Sequence, residues 1–542
     1  MPRKKRANTK SPELKENEKF IFETSSLCPE CLARIPALVF ARDGKVFIRK
    51  VCEKHGVFED LYWGSYEMFI RAMKWARDGK GVENGIEVKR LCPENCGICK
   101  RHKSHTALAN VVVTNRCDLR CFYCFFYAEA MGYVYEPDLE TIRKMFRRLR
   151  EMRPVPAKAV QLTGGEPCLR DDLIEIIKIA KEEGFDHVQL NTNGIRLAMD
   201  KELAIKVRKA GVNTVYLSFD GLSPKTNPKN YWEVPLAMEN CRKAGLGIVL
   251  VPTVVKSVND HEVGNILKFG LKHMDIVRGV NYQPVSLVGK LTKAEVKKYR
   301  ITIPEVIEKL CETGIVEPED FYPVPTPYAI SKIVEVITGK PQYYLTSHFA
   351  CGMATYIFKG KDGKYVPLPR FVDVEGMLEF LEEKARELEK CKRMRKIKAL
   401  RILGKLRTFV DKKKQPKGLN LGRLLIKILV EHNYKALGEL HHKALFVGMM
   451  HFMDLYNYDI ARVQRCCIHY AQPDGKVVPF CAFNVIPQWY RDRIQKKFSM
   501  SIREWERKTG KKLKDDIYRR DVNKLKKLVN YEEFYDVSMI GA

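Results

Sequence analysis

The sequence has no long hydrophobic run. No stretch approaches the roughly 18 apolar residues that a helix needs to cross a bilayer. Residues 1–6 are basic, but the apolar segment of a signal peptide does not follow them. These absences predict a cytoplasmic protein that neither spans a membrane nor is exported.

Acidic residues are too few to balance the basic ones. The chain has 96 lysines and arginines against 66 acidic residues, which gives a formal net charge of +30. This excess indicates an anionic partner surface, either nucleic acid or the phosphate face of a membrane, and charge alone does not choose between them.

Because 45% of the 542 residues are hydrophobic, the chain is not a disordered polymer. Its length suits about three or four domains.

The cysteines are not spaced as disulfide partners. Many of the 17 lie three or four positions apart, and in a reducing compartment such clusters indicate metal ligands.

The central motif is Cys117, Cys121 and Cys124, directly after an apolar run at 111–115. Three thiolates at this spacing can bind three irons of a four-iron, four-sulfur cluster and leave the fourth iron open. A zinc knuckle is the alternative, but zinc sites usually pair two Cys-x2-Cys halves.

A mononuclear metal site is predicted near the start of the chain. Cys28 and Cys31 form one knuckle, and Cys52 and His55 form a second one, on either side of a predicted hairpin at 37–49. Three thiolates and one imidazole suit one tetrahedral ion, zinc or a rubredoxin-like iron.

A second Cys-x3-Cys-x2-Cys motif precedes the first predicted barrel strand. It consists of Cys92, Cys96 and Cys99, and it predicts an auxiliary iron–sulfur cluster. His102 and His105 are candidates for its fourth ligand.

A third four-iron cluster is predicted from cysteines late in the chain. Cys351, Cys466 and Cys481 lie in short strand-like settings, and Cys467 is the candidate fourth ligand. Scattered free thiols are the alternative. The remaining cysteines, expected to be small buried apolar side chains, are Cys168, Cys241, Cys311 and Cys391.

Apolar strands alternate with amphipathic helices between residues 109 and 291. Strands are predicted at 110–114, 159–162, 188–191, 214–219, 247–254 and 280–284. Six units fall short of the eight of a closed barrel and predict an α/β fold with an open (β/α)6 partial barrel. The predicted domains are a basic tail at 1–20, a metal hairpin at 21–64, a linker with a cysteine motif at 65–108, the barrel at 109–291 and a cluster-bearing domain at 292–542.

Residues suited to binding a ligand follow the carboxyl ends of these strands. Right-handed crossovers bring those ends to one rim of the barrel. Glycines permit close approach of a ligand, and the polar side chains can hydrogen-bond to it. The predicted set is Gly164, Gly165, Glu166, Pro167, Asn193, Ser218 and Asp220.

The central cysteine motif followed by Gly164-Gly-Glu-Pro167 resembles the radical S-adenosylmethionine superfamily. The resemblance implies that the open iron binds S-adenosylmethionine and that a low-potential electron donor drives its cleavage. A deoxyadenosyl radical then takes hydrogen from unactivated carbon. The resemblance further implies that Glu166 binds the ammonium group of S-adenosylmethionine and that Tyr123 lies against its adenine ring.

The whole ladder of cysteines, from about residue 25 to 490, resembles the archaeal tetraether lipid synthase family. This implies coupling of the terminal methyl carbons of two phytanyl chains in archaeal diether phospholipids, giving macrocyclic archaeol and tetraether lipids. Each new bond requires two hydrogen abstractions, and an auxiliary cluster would store the first alkyl radical.

Two apolar-rich segments fit a lipid substrate. Segment 390–417 is the most basic in the chain and predicts an amphipathic helix against phospholipid headgroups on the inner membrane face. A solvated helix packed on the core is the alternative. Segment 419–455 predicts helical structure that lines a hydrocarbon tunnel or forms ordinary core. On this hypothesis nucleic acid is not a partner.

Three alternatives remain open at this stage. One is a radical methylase acting on a pterin, which would need no lipid tunnel. A nucleic-acid-modifying radical enzyme is the second, and its binding would weaken strongly with salt. The third is a non-catalytic metal-knuckle protein that binds nucleic acid and cleaves no cofactor.

Overall fold

A computed structural model describes residues 11–121, 124, 126–288, 292–390, 401–402, 404–423 and 442–541. The first part is a four-stranded antiparallel sheet, with β1 at Lys19–Leu27, β2 at Arg34–Arg42, β3 at Lys45–Cys52 and β4 at Gly56–Trp63. We call residues 19–63 the ribbon. The alternate residues Ala37 and Val39 of β2, and Val46 and Ile48 of β3, place one face of the ribbon in the main core.

Six parallel strands form the centre of the second sheet: β5 at Leu108–Thr114, β6 at Ala159–Gly164, β7 at His187–Thr192, β8 at Thr214–Ser218, β9 at Gly247–Val251 and β11 at Val277–Pro284. A two-residue strand, β10 at Thr253–Val254, pairs with β11. The six predicted strands and the open partial barrel are therefore confirmed.

Strands from late in the chain extend this sheet at both edges. They are β12 at Tyr322–Pro323, β13 at Gly352–Lys359, β14 at Tyr365–Pro367, β15 at Ala444–Met450, β16 at Ile468–Ala471 and β17 at Val477–Pro479. β15 pairs in parallel with β11, and β16 pairs in parallel with β5. The prediction of helical structure over 419–455 is wrong at residues 444–450, which form the strand β15. A seven-residue apolar run fits a buried strand as well as a helix, and its pairing with β11 decides between them.

Helices cover the outer face of the sheet and the C-terminal region. Their bounds are Tyr66–Met73, Ala128–Met131, Leu139–Arg150, Leu173–Glu182, Ile195–Met199, Leu203–Ala210, Val234–Ala244, Val263–Lys272, Lys293–Tyr299, Ile303–Cys311, Tyr328–Thr338, Val374–Lys390, Ile460–Gln464, Phe480–Val485, Arg491–Gln495, Ile502–Thr509, Val522–Lys526 and Tyr531–Tyr535. The helices between barrel strands bury apolar stripes against alternate strand residues such as Val160 and Leu162.

Polar contacts attach the ribbon to the C-terminal region. The Thr24 hydroxyl donates to Asp459 Oδ1 at 2.6 Å, and the Tyr62 hydroxyl donates to Asp459 Oδ2 at 2.8 Å. The buried Lys50 ammonium donates to the Leu455 carbonyl at 2.5 Å. Parts of the chain about 400 residues apart in sequence therefore form one packed body.

The basic segment 390–417 lies partly outside the described residues, because 391–400 and 403 are not among them. Where it is described, Ile402, Leu406 and Val410 are buried in a small core against the helix Val374–Lys390. These apolar side chains pack on protein, which leaves the expected lipid contact without support. Among the described helices, none is both long and apolar enough to cross a bilayer.

Candidate cofactor and metal sites

The two glycines after β6 let that strand end against the central cysteine loop. A Cβ atom on Gly164 would lie 2.0 Å from the Thr114 carbonyl oxygen, and one on Gly165 would lie 2.1 Å from the Arg116 oxygen. Gly165 N–H donates to Thr114 at 2.8 Å, and Glu166 N–H donates to Arg116 at 2.7 Å. The close approach shown here is between two segments of the chain, one of which leads directly into Cys117.

Glu166 is buried and holds the rim together. Its carboxylate accepts hydrogen bonds from Cys168 N–H at 3.0 Å, the Thr192 hydroxyl at 2.7 Å and Asn193 N–H at 2.8 Å. Pro167 begins the short turn that follows it. Burial, reinforced by the nearby Asp118 carboxylate, raises the pKa of Glu166 to about 7. The predicted role of Glu166 toward an ammonium group stays a prediction.

Asp118 connects the cysteine loop to Asn193. The Asn193 amide donates to Asp118 Oδ1 at 2.6 Å, and Asp118 Oδ2 lies 3.9 Å from Arg196 Nε. Burial raises the pKa of Asp118. Asn193 thus binds Glu166 directly through its backbone and the cysteine loop through Asp118, a residue that the motif analysis did not single out. Tyr123 lies outside the described residues.

Lys229 connects Ser218 and Asp220. Its ammonium donates to the Ser218 hydroxyl at 2.7 Å and lies 2.6 Å from Asp220 Oδ2. Asp220 Oδ1 also accepts from Thr253 N–H at 3.0 Å. Lys229 follows β8 in an irregular loop without periodicity, so no sequence pattern indicated its role.

Positive charge lies near two thiols of the central motif, those of Cys121 and Cys124, whereas the carboxylates of Asp118 and Glu166 act on Cys117. Burial raises the pKa of Cys121 and Cys124, and the Lys229 ammonium opposes that rise in both. Arg491 and Arg120 act on Cys124 in the same direction. An anionic thiolate cluster fits such surroundings, because fixed cations lower the cost of burying it.

The geometry of the rim predicts a pH effect on stability. Since the pKa of Glu166 in the folded chain is about 7, against an ordinary value of 4.5, the folded protein binds more protons between these values than the unfolded chain does. The contribution of Glu166 to stability is therefore complete below pH 4.5 and is lost as the pH rises through 7. Glu166→Gln should remove the contribution of Glu166 to the dependence of stability on pH and leave the contribution of Asp118, whose pKa is also raised by burial. It should also cost about 1–3 kcal/mol, since a buried donor loses its acceptor.

Urea unfolding of the metal-free chain at about pH 5 and about pH 7 tests this slope. Glu262→Gln is the matched control, because Glu262 is also buried and accepts from Thr226 at 2.7 Å. The control should lose stability but retain the wild-type pH slope. An undiminished slope in Glu166→Gln would contradict the assignment.

The ligand atoms of Cys28, Cys31, Cys52 and His55 all lie within 4.8 Å of one another. Cys31 Sγ is 3.9 Å from Cys52 Sγ, and His55 Nδ1 is 3.4 Å from Cys28 Sγ and 3.5 Å from Cys52 Sγ. A tetrahedral zinc ion with ordinary bond lengths separates two sulfurs by about 3.8 Å and a sulfur from a nitrogen by about 3.5 Å. The four side chains therefore fit one tetrahedral ion without rearrangement.

The second cysteine set lines one small cavity. Cys92, Cys96, Cys99 and His102 share it, and His102 Nε2 lies 2.7 Å from the Cys466 carbonyl oxygen. Burial raises the pKa of Cys92 to about 11. The other candidate, His105, instead accepts from Tyr344 N–H at 2.9 Å, away from the set.

The third cysteine set also converges. Burial is the main cause that raises the pKa of Cys466, and the charges of Cys481, Cys467 and Cys351 add to it. The Cys466 thiol donates to the Ile468 carbonyl at 3.0 Å. Four cysteines from three separate parts of the chain thus meet in one buried region. Of the remaining cysteines, Cys391 lies outside the described residues.

A C-terminal strap, residues 500–520, crosses the barrel rim. Trp505 Nε1 donates to Glu136 at 2.9 Å, and Tyr518 N–H donates to the Asp118 carbonyl at 3.0 Å. Arg116, buried beside Cys117, lies 3.3 Å from Asp516 and has its guanidinium over the Trp505 ring. Sequence analysis missed the strap because its residues carry no metal-ligand or glycine motif.

The inner face of the partial barrel is rich in amides. Alternation places Val160, Leu162, Val188 and Leu190 outward in the core, so the residues between them point inward. The Gln189 amide donates to Gln161 Oε1 at 2.6 Å, and the Asn191 amide donates to the Thr163 hydroxyl at 3.1 Å. The inward polar set is Asn110, Gln161, Thr163, Gln189, Asn191, Tyr216 and Asn281.

The partial barrel, with its cysteine loop after the first strand, defines a radical S-adenosylmethionine enzyme. Residues 111–270 match the Radical SAM superfamily, and residues 20–64 match the HMPTM N-terminal zinc ribbon domain. Superfamily membership implies S-adenosylmethionine and a four-iron cluster as cofactors. The zinc ribbon suggests a metal site in the ribbon.

The chain belongs to the family of 7,8-dihydro-6-hydroxymethylpterin dimethyltransferase from Methanocaldococcus jannaschii. The two are 45% identical over 496 residues, which cover 90% of this chain and 97% of that protein. A probable GTP 3′,8-cyclase from Methanothermobacter marburgensis is 30% identical over 174 residues, 31% of this chain and 55% of its own. A solved radical SAM methyltransferase from Sphaerobacter thermophilus covers 55% of this chain and 74% of its own at 12% identity and a TM-score of 0.28, too distant to carry an argument.

The expected membership of the tetraether lipid synthase family is wrong, and so are the lipid-coupling activity and the phospholipid partner. The relative that matches nearly the whole chain is named for a pterin substrate. The error has a physical cause. Cysteine spacing specifies which metal groups a chain binds, whereas the substrate is selected by other side chains.

Proposed function

We propose that this chain methylates a reduced pterin by radical chemistry. The observation that carries the proposal is the 45% identity with the M. jannaschii pterin dimethyltransferase over 90% of the chain. In this proposal Cys117, Cys121 and Cys124 bind the cluster that serves S-adenosylmethionine. Two auxiliary four-iron clusters and one zinc ion occupy the other cysteine sets.

The amide-rich inner face supports a polar substrate. A pterin carries ring nitrogens, an amino group and a carbonyl in one plane, and carboxamides such as those of Gln161, Gln189 and Asn191 can both donate to and accept from them. A phytanyl chain offers no such groups, so burying these amides against it would leave unpaired the donors and acceptors that the Gln189–Gln161 and Asn191–Thr163 bonds do not use. The polarity of this surface therefore favours the pterin over hydrocarbon.

Each part of the rim has a task in this proposal. When bound, the cofactor supplies a carbon-centred radical that can abstract hydrogen. Glu166 and Asp118 hold the loops that carry the cluster thiols in register. Lys229 fixes Ser218 and Asp220 beside Cys121. The inward amides orient the pterin, so that the carbon to be modified lies toward the rim.

The direct test is an anaerobic assay. Reconstituted protein is mixed with S-adenosylmethionine, a strong reductant and 7,8-dihydro-6-hydroxymethylpterin, and products are separated by mass spectrometry. We expect 5′-deoxyadenosine together with pterins heavier by one and by two methylene units. Cys121→Ala, which lacks a cluster thiol, should give neither. Deoxyadenosine without any change in the pterin would refute the proposal and leave only the superfamily chemistry.

Gln189→Leu should weaken pterin binding by about tenfold to a hundredfold, because a buried pterin group loses its partner. Binding is measured by quenching of pterin fluorescence, and cleavage of S-adenosylmethionine without substrate should stay close to wild type. Asn240→Leu is the control. Asn240 is also a buried amide, and it donates at 2.8 Å to the Leu197 carbonyl, outside the barrel interior. Equal losses of affinity in both variants would indicate a general effect on folding.

A further inference from the structure

Arg462, in the helix Ile460–Gln464, is buried in an unusual setting. Only 1% of it is exposed. Its Nη2 donates to the His451 carbonyl at 2.8 Å, and its guanidinium lies 5.5 Å from the centre of the Tyr62 ring. Nε and Nη1 are also buried, and within the described part of the chain neither finds an oxygen or nitrogen acceptor; the Cys351 thiol is a side chain that interacts with this guanidinium as a hydrogen-bond partner.

The charge of Arg462 has no carboxylate beside it. Arg300, which is equally buried, lies between Asp60 at 2.8 Å and Asp454 at 2.9 Å. For Arg462 no ion pair is found among the described residues, and the groups whose negative charge would act on it most strongly are the Cys351 thiol, the Tyr62 hydroxyl and the Cys481 thiol. Because a guanidinium keeps its proton in proteins, the charge must be balanced by an anion.

The Cys351 and Cys481 thiols can supply that anion only as thiolates. Burial raises the pKa of the Cys481 thiol and so favours its neutral form, whereas binding to iron removes the proton of either thiol. Tyr62 is a poorer candidate, since its hydroxyl already donates to Asp459 at 2.8 Å. Arg462 is thus a buried cation without a carboxylate, and the converging thiols become anions when they bind iron, so each can neutralise the charge of the other.

We propose that Arg462 is the counter-charge and hydrogen-bond donor of an iron–sulfur centre held by Cys351, Cys466 and Cys481, and that it raises the reduction potential of this centre. The inference rests on the third cluster of the proposed function. Reduction adds one electron to the centre, and a fixed positive charge with N–H groups directed at sulfur stabilises the reduced form more than the oxidised one. Arg462 is therefore a positioning and tuning residue and does not touch the pterin.

The test is an anaerobic redox titration of the reconstituted full-length protein, followed by EPR. Arg462→Gln should lower the equilibrium constant for reduction of one centre at least tenfold. For one electron, this lowers the reduction potential of that centre by about 59 mV or more. Arg462→Lys keeps the charge but loses the planar fork, so a smaller shift in the same direction is expected. Cys481→Ser identifies the signal of this centre by changing its spectrum.

Arg465→Gln is the matched control. Arg465 is three residues further on and carries the same charge, but its Nε lies 2.6 Å from Asp78. This variant should leave all potentials unchanged. An unchanged potential in Arg462→Gln at full iron content would overturn the inference. If Arg462→Gln does not fold, a spectrum and potential of Arg462→Lys identical to wild type would overturn it instead.

The two proposals fail in distinguishable ways. A wild-type protein whose iron content and EPR signals show no third centre would refute the cluster count of the proposed function, and this inference with it. A third centre that is present but insensitive to Arg462 would refute only the inference. Pterin methylation is read from products and is independent of both results.

Discussion

Gly165→Ala is expected to abolish cleavage of S-adenosylmethionine. The added methyl carbon would lie 2.1 Å from the Arg116 carbonyl oxygen and 2.7 Å from its carbon, which are backbone atoms that cannot rotate away. Relief requires separating the end of β6 from the segment that enters Cys117. That movement breaks the hydrogen bonds from Gly165 to Thr114 and from Glu166 to Arg116. Displacement of the cluster thiols by about 1 Å should lower the rate about a hundredfold or more.

The measurement compares 5′-deoxyadenosine formation, iron content and thermal stability of the variant with those of wild type. Overpacking should also destabilise the fold by about 1–3 kcal/mol. Gly404→Ala is the control, because no atom of the described residues lies within 4 Å of a Cβ atom there. It should be neutral, or slightly stabilising in a short helical stretch. Wild-type cleavage by Gly165→Ala would show that the contact with Arg116 does not position the cluster loop.

Cys31→Ser should release the metal ion of the ribbon and destabilise this part of the chain, whose strands β2 and β3 then keep only their packing against the main core. Cys31 is exposed, so replacing sulfur by oxygen removes a ligand with little loss of packing. The sulfur–sulfur and sulfur–nitrogen distances of the site match one tetrahedral ion. In isolated zinc-finger peptides such binding supplies about 10 kcal/mol or more. The local core around Cys28, Ile35, Cys52 and Phe58 is too small to replace that contribution.

Zinc and iron content, together with hydrogen exchange of residues 19–63, test this prediction. We expect loss of one equivalent of metal, rapid exchange in the ribbon and unchanged cluster iron. Because Thr24 and Tyr62 both donate to Asp459, exchange should also increase near residue 459. Cys311→Ser, a half-buried thiol at a helix end, should retain the metal and the protection. Protected strands in metal-free Cys31→Ser would show that the ribbon folds without its ion.

The sequence was sufficient for the elements whose signal is local. Each barrel strand is an apolar run between turn residues, and the metal knuckles carry their own spacing, so the partial barrel and the ribbon were predictable. The strand β15 was not. Its apolar residues fit a helix or a strand equally well until β11 and β13 are known to lie beside it. The same limit applies to the strap, whose role arises from contacts across long sequence separations. Lys229 was not predictable for another reason, because it lies in an irregular loop that carries no pattern.

In the candidate site, too, some features could be predicted from the sequence and others depend on the fold. Glu166 and Asn193 could be selected because they follow strand ends, but the bonds of Asn193 to Glu166 and to Asp118 depend on how three loops meet. The polar pattern of the interior was present in the sequence as Gln161, Thr163, Gln189 and Asn191, at alternate positions of two strands. It becomes evidence about the substrate only when the strand register shows that these side chains share one surface.

The two strands that flank the barrel have a consequence for its biosynthesis. β15 and β16 cover the edges of the six-stranded sheet, yet a ribosome adds them only after about 440 residues, tens of seconds into synthesis at typical rates. Until then the nascent sheet presents unpaired N–H and carbonyl groups at both sides, a template for pairing with other chains. A shortened gene product that ends before residue 444 should therefore form inclusion bodies, even though it encodes the complete cysteine loop.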